Sequence, residues 1–256
     1  MSQPQATAPR PRPVPRTVEV VAVSDVSPSY RRVRFVAPEL IQADVGAAIT
    51  IKLLFPNAEP GARPHGRPFT LCGFDALTGE FDVDFVLHDH AGVAVAWARQ
   101  ARPGATLQMF GPRGAGDATP EDARHVVLVG DATALPAIGV IASRLAPYVK
   151  ADVLVEVPSL ADVRPLSSPA ALDVEWLVAE PGDPRPLARA VRKLPVDDVD
   201  RWWVAAELGV VREVRAHLLE ERGVPAARVR ATPYWKAGVD EDVFHDERHA
   251  EMDRAR

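Results

Sequence analysis

The feature of this chain that most constrains its fold is a change in hydrophobic period near Pro120. From residue 16 to about 114, short runs rich in valine, isoleucine, phenylalanine and threonine are separated by turn-forming residues, which is typical of β-strands. After Pro120, the run HVVLVG at 125–130 is apolar throughout, as expected for a strand that is buried on both faces. Strand-like and helical runs then alternate. The sequence therefore predicts two units that are built in different ways.

The first unit is predicted to hold six strands and one short helix. The strand-like runs are TVEVVAVSDV, YRRVRFVA, AITIKLLF, RPFTLCGF, GEFDVDFVLH and ATLQMFGP. Between Gly92 and Ala101, alanine, tryptophan and arginine follow the spacing of a short helix. Because closure removes exposed strand edges, this pattern favours a small antiparallel β-barrel over an open sheet.

The second unit alternates strands with helices, which specifies a parallel sheet with right-handed crossovers. The predicted strands are HVVLVG, ADVLVEVP, DVEWLVAE, RWWVAAE and RVRATPYW, and the predicted helices are ALPAIGVIASRLA, PRPLARAVRKL and GVVREVRAHLLEER. We therefore predict a disordered tail at 1–15, a barrel domain at 16–118, an α/β domain at 119–238 and a charged tail or helix at 239–256.

Composition excludes several classes of function. Apolar residues make up 47% of the chain and charged residues 25%, which suits a packed globular protein. The net charge of -5 argues against a nucleic-acid surface, and no stretch approaches the roughly 18 apolar residues of a membrane helix. The first residues lack the apolar core of a secretory signal, and the single Cys72 excludes an internal disulfide and a thiolate cluster. These features predict a cytoplasmic protein without membrane insertion or a metal site.

Two segments of the barrel carry candidate anion-binding groups. In Arg67–Thr70 the guanidinium could pair with a pyrophosphate, and the Thr70 hydroxyl could face a ring bound beside it. The strand Asp84–His88 leads through Gly92 into the predicted helix, an arrangement that aims backbone N–H groups at an anion. An ordinary surface strand and a barrel corner are the structural alternatives.

Further candidates lie at the carboxyl ends of the parallel strands, where α/β sheets generally bind ligands. Asp131 and Thr133 follow the first strand without a G-x-G-x-x-G fingerprint, and Thr133 could either cap the next helix or contact a nucleotide. Glu207 could line the same pocket or cap its own helix. Tyr234 and Trp235 could wall a flavin or close the core.

Taken in order, these segments form a series across the chain that resembles the siderophore-interacting proteins. These are FAD-dependent ferric-siderophore reductases related to the ferredoxin–NADP reductases. The matching segments are Arg67–Thr70, Asp84–His88, Gly92–Trp97, Gly111–Gly114, Gly130–Ala137, Ala205–Glu207 and Tyr234–Gly238. The resemblance implies a ferredoxin reductase-like architecture, in which an FAD-binding antiparallel barrel precedes an NAD(P)-binding parallel sheet.

The resemblance also implies a reaction and a set of site residues. NADH or NADPH would reduce the flavin, which would pass single electrons to a ferric siderophore and release Fe(II). Catalytic positions would be Thr70, Asp131, Thr133 and Glu207. Cofactor-binding positions would be Arg67, Pro68, Phe69, Thr70, Asp84, Val86, His88, Gly92, Ala94, Trp97, Tyr234 and Trp235. Lys236 would attract the anionic ferric chelate or another small-molecule substrate.

Six positions depart from the family pattern, all of them at the expected cofactor sites. They are Phe69 for tyrosine, Cys72 for arginine, Asp89 for glycine, Val93 for proline, Ala132 for glutamate and Ala206 for glycine. Losing the arginine charge would weaken the hold on pyrophosphate by about 1–3 kcal/mol. Two other functions therefore stay open: a flavin reductase or electron donor to a partner enzyme, and a repurposed fold that binds an organic ligand without net redox chemistry.

Other patterns are given structural interpretations. The basic run Arg31–Arg34 is read as the solvated side of a strand, although an anionic ligand could exploit it. The pairs His88/His90 and His245/His249 have the spacing of metal ligands but lack a supporting context. Arg164 lies where the 2′-phosphate of NADPH could meet it, whereas Glu156 and Asp162 favour NADH, so the preference stays open.

Overall fold

A computed structural model describes residues 14–46, 49–59, 61–88, 92–113, 119–120, 122–178, 185–239 and 244. Several sequence-based predictions lie outside the described residues. They concern most of the N-terminal tail, Asp89 and His90, the segment 114–118 at the predicted domain boundary, and the pair His245/His249.

The first unit is an antiparallel sheet of seven strands rather than six. The strands are β1 (Arg16–Ser27), β2 (Tyr30–Val36), β3 (Thr50–Phe55), β4 (His65–Thr70), β5 (Cys72–Asp75), β6 (Glu80–Val86) and β7 (Thr106–Arg113). A 3-10 turn spans Pro38–Leu40, and helix α1 spans Val93–Gln100. The extra strand arises because the run RPFTLCGF, predicted as one strand, divides at Leu71 into β4 and β5.

The order of these strands, β4-β3-β7-β1-β2-β6-β5, curls the sheet toward a barrel. Although β4 and β5 follow each other in the chain, they form opposite edges of the sheet. The chain passes between the edges through Leu71, which is 1% exposed and whose N–H donates to the Ile49 carbonyl over 2.8 Å. The ring of Phe69 on β4 lies 4.6 Å from that of Phe85 on β6. Aromatic packing thus joins the edge strand β4 to β6, which is the neighbour of the opposite edge strand β5.

The second unit is a five-stranded sheet whose strands are all parallel, as predicted. Its strands are β8 (His125–Gly130), β9 (Lys150–Val157), β10 (Ala171–Val178), β11 (Arg201–Glu207) and β12 (Val229–Trp235), in the order β10-β9-β8-β11-β12. The helices are α2 (Leu135–Ser143), α3 (Pro186–Val191) and α4 (Leu208–Ala216), and α4 continues into a π-turn at His217–Glu221. Single 3-10 turns span Leu160–Asp162 and Ala226–Arg228.

Strand β8 shows why its sequence is apolar throughout. Val126 and Leu128 pack into the cluster that contains α2, whereas Val127 and Val129 pack into the cluster formed with α3 and α4. The strand ends at Gly130, where α2 approaches closely. A Cβ atom at this position would lie 2.6 Å from the Cβ of Ala134 and 2.9 Å from the Cδ1 of Ile138. Glycine therefore lets the helix begin directly against the end of the strand.

Two further findings concern the ends and helices of the chain. Phe244 lies in the segment predicted to be a charged tail or helix, yet its side chain is only 1% exposed, so this residue packs against the protein.

In the part of the chain that the structure describes, every helix is too short or too polar to cross a lipid bilayer.

Candidate functional site

Strand β4 carries the first group of predicted site residues along an edge of the barrel. All its residues, from His65 to Thr70, are half-buried. Arg67 stands opposite Leu53 and Phe69 opposite Ile51, both core residues, so Arg67 and Phe69 share the inward face of the strand. Thr70 stands opposite Thr50 and points to the other face. The guanidinium and the hydroxyl predicted to hold one cofactor therefore flank the strand edge from two sides.

An aromatic cluster joins this strand to the second predicted segment. The ring of Phe69 lies 4.6 Å from that of Phe85, which in turn lies 5.9 Å from the indole of Trp97 on α1. Trp97 and Ala94 both pack against the barrel core. The structure thus brings the predicted segments 67–70, 84–88 and 92–97 together. The contacts that join them are packing contacts in the barrel core, made by Phe69, Phe85 and Trp97.

The start of α1 is open to solvent. Gly92 is exposed, has an extended backbone (φ -70°, ψ 152°) and makes no side-chain capping bond. A Cβ atom added there would meet no heavy atom within 4 Å. Nearby, His88 is exposed and its carbonyl accepts a hydrogen bond of 3.2 Å from Arg99. This terminus offers backbone N–H groups of the kind that bind anions.

The predicted site residue Asp84 uses its carboxylate within the protein. Its carboxylate is 1% exposed and receives Nε and Nη2 of Arg32 at 2.7 and 2.9 Å. It also receives Nη2 of Arg164 at 3.0 Å. Both oxygens are therefore engaged by guanidinium groups of the protein. Asp84 lies on the outer face of β6 and joins the two units rather than pointing toward a cofactor.

The same contacts correct the interpretation of the basic run. Arg34 forms a bidentate pair with Asp82, at 2.7 and 3.1 Å, parallel to the Arg32–Asp84 pair. Arg31 pairs with Asp25 at 2.9 Å. These arginines form cross-strand ion pairs instead of a freely solvated face. Arg164 likewise bonds to Asp84 through its guanidinium, and the preference between NADH and NADPH stays open.

Asp131 is the centre of the second group of site residues. Its buried carboxylate accepts the N–H and hydroxyl of Thr133 at 2.9 and 2.6 Å, the N–H of Glu207 at 2.9 Å and the indole N–H of Trp235 at 2.7 Å. Burial raises the pKa of Asp131, while these hydrogen bonds act in the opposite direction. One carboxylate thus ties the loop after β8 to the carboxyl ends of β11 and β12.

Thr133 and Glu207 divide between their two predicted roles. The N-cap of α2 is Ala134, which makes no side-chain capping bond, so the prediction that Thr133 caps this helix is wrong. Its hydroxyl bonds to Asp131 instead. Glu207 does cap α4, because its carboxylate accepts the N–H groups of Gly209 and Val210. The same carboxylate accepts the N–H of Ala237 at 3.2 Å and so fixes the loop after β12.

The two adjacent aromatics at the end of β12 also differ. Tyr234 packs into the core, with its ring 6.3 Å from Trp203 at an interplanar angle of 90°. Trp235 is 40% exposed and is held by Asp131. Lys236 follows immediately and is half-buried. Tyr234 therefore closes the core, and Trp235 presents its indole at the carboxyl edge of the sheet.

Tyr30, which the sequence analysis did not single out, joins Val86 of the first group to the Asp131–Thr133 loop of the second. Its hydroxyl donates to the carbonyl of Ala132 over 2.8 Å, and its backbone pairs with Val86 at the end of β6. The guanidinium of Arg164 lies 4.7 Å from the centroid of its ring. The barrel end that holds Val86 therefore lies against the Asp131–Thr133 loop.

A second contact missed by sequence reasoning is a buried carboxylate between the units. Asp162 is fully buried and accepts the hydroxyls of Ser27 at 2.6 Å, Ser29 at 2.9 Å and Ser159 at 3.1 Å. The N–H of Ser29 adds a fourth bond of 3.0 Å. The only local signal is the Ser-Pro-Ser turn before Tyr30, because the acceptor is 135 residues away.

Comparison with known proteins places this arrangement in a family. The ferric vibriobactin reductase ViuB of Vibrio cholerae is 31% identical to the chain over 94% of its length, and the match covers 97% of ViuB. The chain belongs to the siderophore-interacting protein family. The family profile described as siderophore-interacting protein matches residues 123–238, and the profile of the siderophore-interacting FAD-binding domain matches residues 57–116.

Solved structures agree with the fold of this siderophore-interacting protein. The siderophore-interacting protein SipS from Aeromonas hydrophila superposes with a TM-score of 0.85 at 34% identity, covering 95% of this chain and all of SipS. The ferredoxin reductase of carbazole 1,9a-dioxygenase superposes with a TM-score of 0.70 at 16% identity, covering 89% and 71% of the two chains. The predicted ferredoxin reductase-like architecture is thus confirmed.

The donor groups of this siderophore-interacting protein fit a flavin dinucleotide. A half-buried edge strand carries the Arg67 guanidinium and the Thr70 hydroxyl, and α1 begins at the exposed Gly92 without a side-chain cap. These are the groups that a diphosphate and a polar ring require. Cys72 adds no charge, because burial raises the pKa of its thiol to about 12.

Proposed function

We propose that this protein is an FAD-dependent NAD(P)H oxidoreductase that reduces ferric siderophores and releases Fe(II). The observation that carries the proposal is the 2.8 Å hydrogen bond between Tyr30 and Ala132. It sets the end of the FAD-binding barrel against the carboxyl edge of a parallel sheet, where α/β proteins bind nucleotides. A ferric siderophore is the substrate named for the relative ViuB.

The overall reaction balances two electrons. NAD(P)H gives up a hydride, becoming NAD(P)⁺, and two Fe(III) chelates each take one electron, so that two Fe(II) ions and one proton result. FAD, when bound, supplies the exchange between two-electron and one-electron chemistry. Fe(II) binds hard oxygen ligands less tightly than Fe(III), so reduction weakens the chelate and frees the metal.

Within this proposal, each part of the chain has a distinct task. Residues 16–118 form the FAD-binding domain and 119–238 the NAD(P)-binding domain. Arg67 and the first turn of α1 hold the diphosphate of FAD, and Thr70 faces its ring system. Asp131 sets the positions of Thr133 and Trp235 at the nicotinamide side by hydrogen bonds of 2.6 to 2.9 Å.

The substrate side of the proposal rests on charge and location. Lys236 is half-buried next to Trp235 and attracts an anionic ferric chelate. The proposed location is the cytoplasm, where reduced nicotinamide nucleotides are available. The overall charge of -5 supports the absence of nucleic-acid binding from the function.

A flavin reductase that exchanges its flavin freely, or donates electrons to a partner enzyme, is the second candidate. Cys72 favours it, because a buried neutral thiol stands where the family resemblance leads us to expect an arginine. The loss of one charge-assisted bond weakens dinucleotide binding by about 1–3 kcal/mol, or roughly 5- to 150-fold. The third candidate is a protein that binds an organic ligand without redox chemistry.

The test measures flavin binding and both half-reactions in purified protein. We expect added FAD to bind with a change in its visible spectrum, and NADH or NADPH to bleach the bound flavin under anaerobic conditions. Adding Fe(III)–citrate or an Fe(III)–catecholate should restore the flavin colour and form Fe(II), trapped by a colorimetric chelator. Turnover of free FAD without Fe(III) reduction would favour the flavin reductase, and protein that ignores FAD would overturn the proposal.

A further inference from the structure

The structure assigns Tyr30 a role in the proposed reaction: we propose that it is a positioning residue for the nicotinamide, acting through the carbonyl of Ala132. The inference rests on the proposed function. The side chain of Tyr30 reaches the predicted nicotinamide side through the loop between Asp131 and Thr133, while its backbone pairs with Val86. It would therefore act on catalysis through the backbone.

The tyrosine ring is held from several directions. Tyr30 is fully buried, and its backbone pairs with Val86 in the β2–β6 ladder. The guanidinium of Arg164 covers the ring at 4.7 Å and also bonds to Asp84 at 3.0 Å. Asp84 in turn binds Arg32, two residues along β2 from Tyr30. This closed circuit leaves the hydroxyl little freedom to move.

The acceptor lies in the loop that the proposed function places beside the nicotinamide. Ala132 stands between Asp131, which directly follows β8, and Thr133, whose N–H and hydroxyl both bond to the Asp131 carboxylate. The sheet therefore fixes the loop from one side through Asp131, and the barrel fixes it from the other through Tyr30. Burial also raises the pKa of Tyr30 above its ordinary value, so the phenol remains a hydrogen-bond donor.

The contact is separable from the attachment of the two units. Asp162 holds the β1–β2 turn by the bonds from Ser27 and Ser29, none of which involves Tyr30. Removing one hydroxyl should therefore leave the units joined while the loop loses its anchor to the barrel. Because rates of transfer between bound groups fall steeply with misplacement, up to about 100-fold for 1 Å, a small shift of the loop would be visible in the rate.

The experiment compares Tyr30→Phe with Tyr148→Phe, the same change on a half-exposed tyrosine of the α2–β9 connection. Hydrogen exchange is measured first, on FAD-free protein. We expect faster exchange in peptides covering 130–135 for Tyr30→Phe, unchanged exchange in β10 and β12, and a melting temperature about 2–4 °C lower. Tyr148→Phe should leave the exchange of peptides 130–135 as in the wild type.

Rapid-mixing kinetics on FAD-loaded protein then separate the two half-reactions. Reduction by NADH or NADPH should slow at least about 10-fold in Tyr30→Phe. Reoxidation of dithionite-reduced protein by Fe(III)–citrate should stay within about twofold of wild type, because Tyr30 does not touch the proposed chelate site. If Tyr30→Phe does not fold, Arg164→Gln frees the tyrosine ring and is expected to slow the same half-reaction by a smaller factor.

The two ways in which the inference can fail are distinct. Wild-type protein that binds FAD but is not reduced by either nucleotide would overturn the proposed function, and with it the role of Tyr30. Wild-type protein that is reduced at the same rate as Tyr30→Phe, with equal exchange in peptides 130–135, would overturn the positioning role alone. Equal slowing of both half-reactions would also overturn it, because that result indicates a general structural defect.

Discussion

At the scale of single residues, three buried aspartates organise this protein. Asp84 pairs with arginines from both units, Asp131 ties one loop to two strand ends at the sheet edge, and Asp162 receives three serine hydroxyls. A buried carboxylate is costly unless its oxygens are satisfied. Each of these carboxylates is satisfied by groups distant in the chain, so each specifies one relative placement of the segments that it joins.

The behaviour of Cys72 gives a prediction at the same scale. Burial raises the pKa of its thiol to about 12, with a further increase from the Asp84 charge. At pH 8 the reactive thiolate is therefore scarce, whereas an unfolded cysteine has a pKa near 8.5. We expect alkylation by iodoacetamide, followed by mass spectrometry, to be at least about 100-fold slower in folded protein than in urea-unfolded protein. Comparable rates in the two samples would contradict the burial.

At the scale of elements, β2 and β6 are matched by charge as well as by backbone pairing. Arg32 and Arg34 alternate on β2, and Asp82 and Asp84 alternate on the partner strand directly opposite. Opposite charges at facing positions stabilise a strand pair, and like charges would disfavour a shifted register. The motifs R-x-R and D-x-D therefore specify this pairing, together with the apolar residues between them.

Two ion pairs of strand β2, one with Asp84 on β6 and one with Asp25 on β1, should differ in their contribution to the free energy of unfolding. Asp84 is 1% exposed and serves two guanidinium groups, whereas the exposed Asp25 pairs with Arg31 alone. Removing one partner of a buried ion pair costs about 3–5 kcal/mol, and an exposed pair contributes under about 1 kcal/mol. We expect urea unfolding to show a loss of about 3 kcal/mol for Asp84→Asn and less than about 1 kcal/mol for Asp25→Asn. Equal losses would refute the assigned difference in burial.

At the scale of the whole molecule, the β1–β2 hairpin reaches from the barrel to the sheet. The turn residues Ser27 and Ser29 bind Asp162, and Tyr30 binds Ala132. The barrel and the sheet are thereby joined on the side where FAD and the nicotinamide are proposed to meet. A redox cleft of this kind needs a fixed relation between its walls, and these contacts provide it.

The pH dependence of Asp162 tests this attachment. Burial by itself raises its pKa, but the hydrogen bonds from Ser27, Ser29 and Ser159 outweigh it and hold the pKa below the usual range. Because the folded pKa is the lower one, the stabilisation is complete above the unfolded pKa of about 4 and is lost as the pH falls through the folded value. Acid should therefore weaken this contact.

We expect urea unfolding to show wild-type protein about 1.5–3 kcal/mol more stable than Asp162→Asn at pH 7, with the gap shrinking below pH 4. The exposed Asp198 serves as a control, since Asp198→Asn should match the wild type within about 0.5 kcal/mol at each pH. A gap for Asp162→Asn that stays constant from pH 7 to pH 3 would show that its charge does not stabilise the fold.

The predictable part of the candidate site consists of features set by neighbouring residues. Glu207 caps α4, which begins at the next residue. Gly130 ends β8, and α2 packs closely against it. The ion pairs of Asp84 could not be predicted, because its partners are 52 and 80 residues away. Tyr234 and Trp235 were predicted together, yet strand alternation sends their side chains to different environments.

The sequence by itself determined the two periods, the parallel order of strand and helix in the second unit and the series of site segments along the chain. These features are local, because a hydrophobic period reports which face of an element is buried. Only the tertiary structure decided that β4 and β5 form opposite edges of the sheet. It also decided that Asp84 pairs with Arg32 and that Tyr30 donates a hydrogen bond to Ala132. Such choices depend on which distant strands become neighbours, and a buried polar group takes its partner from whatever folding brings within hydrogen-bond reach.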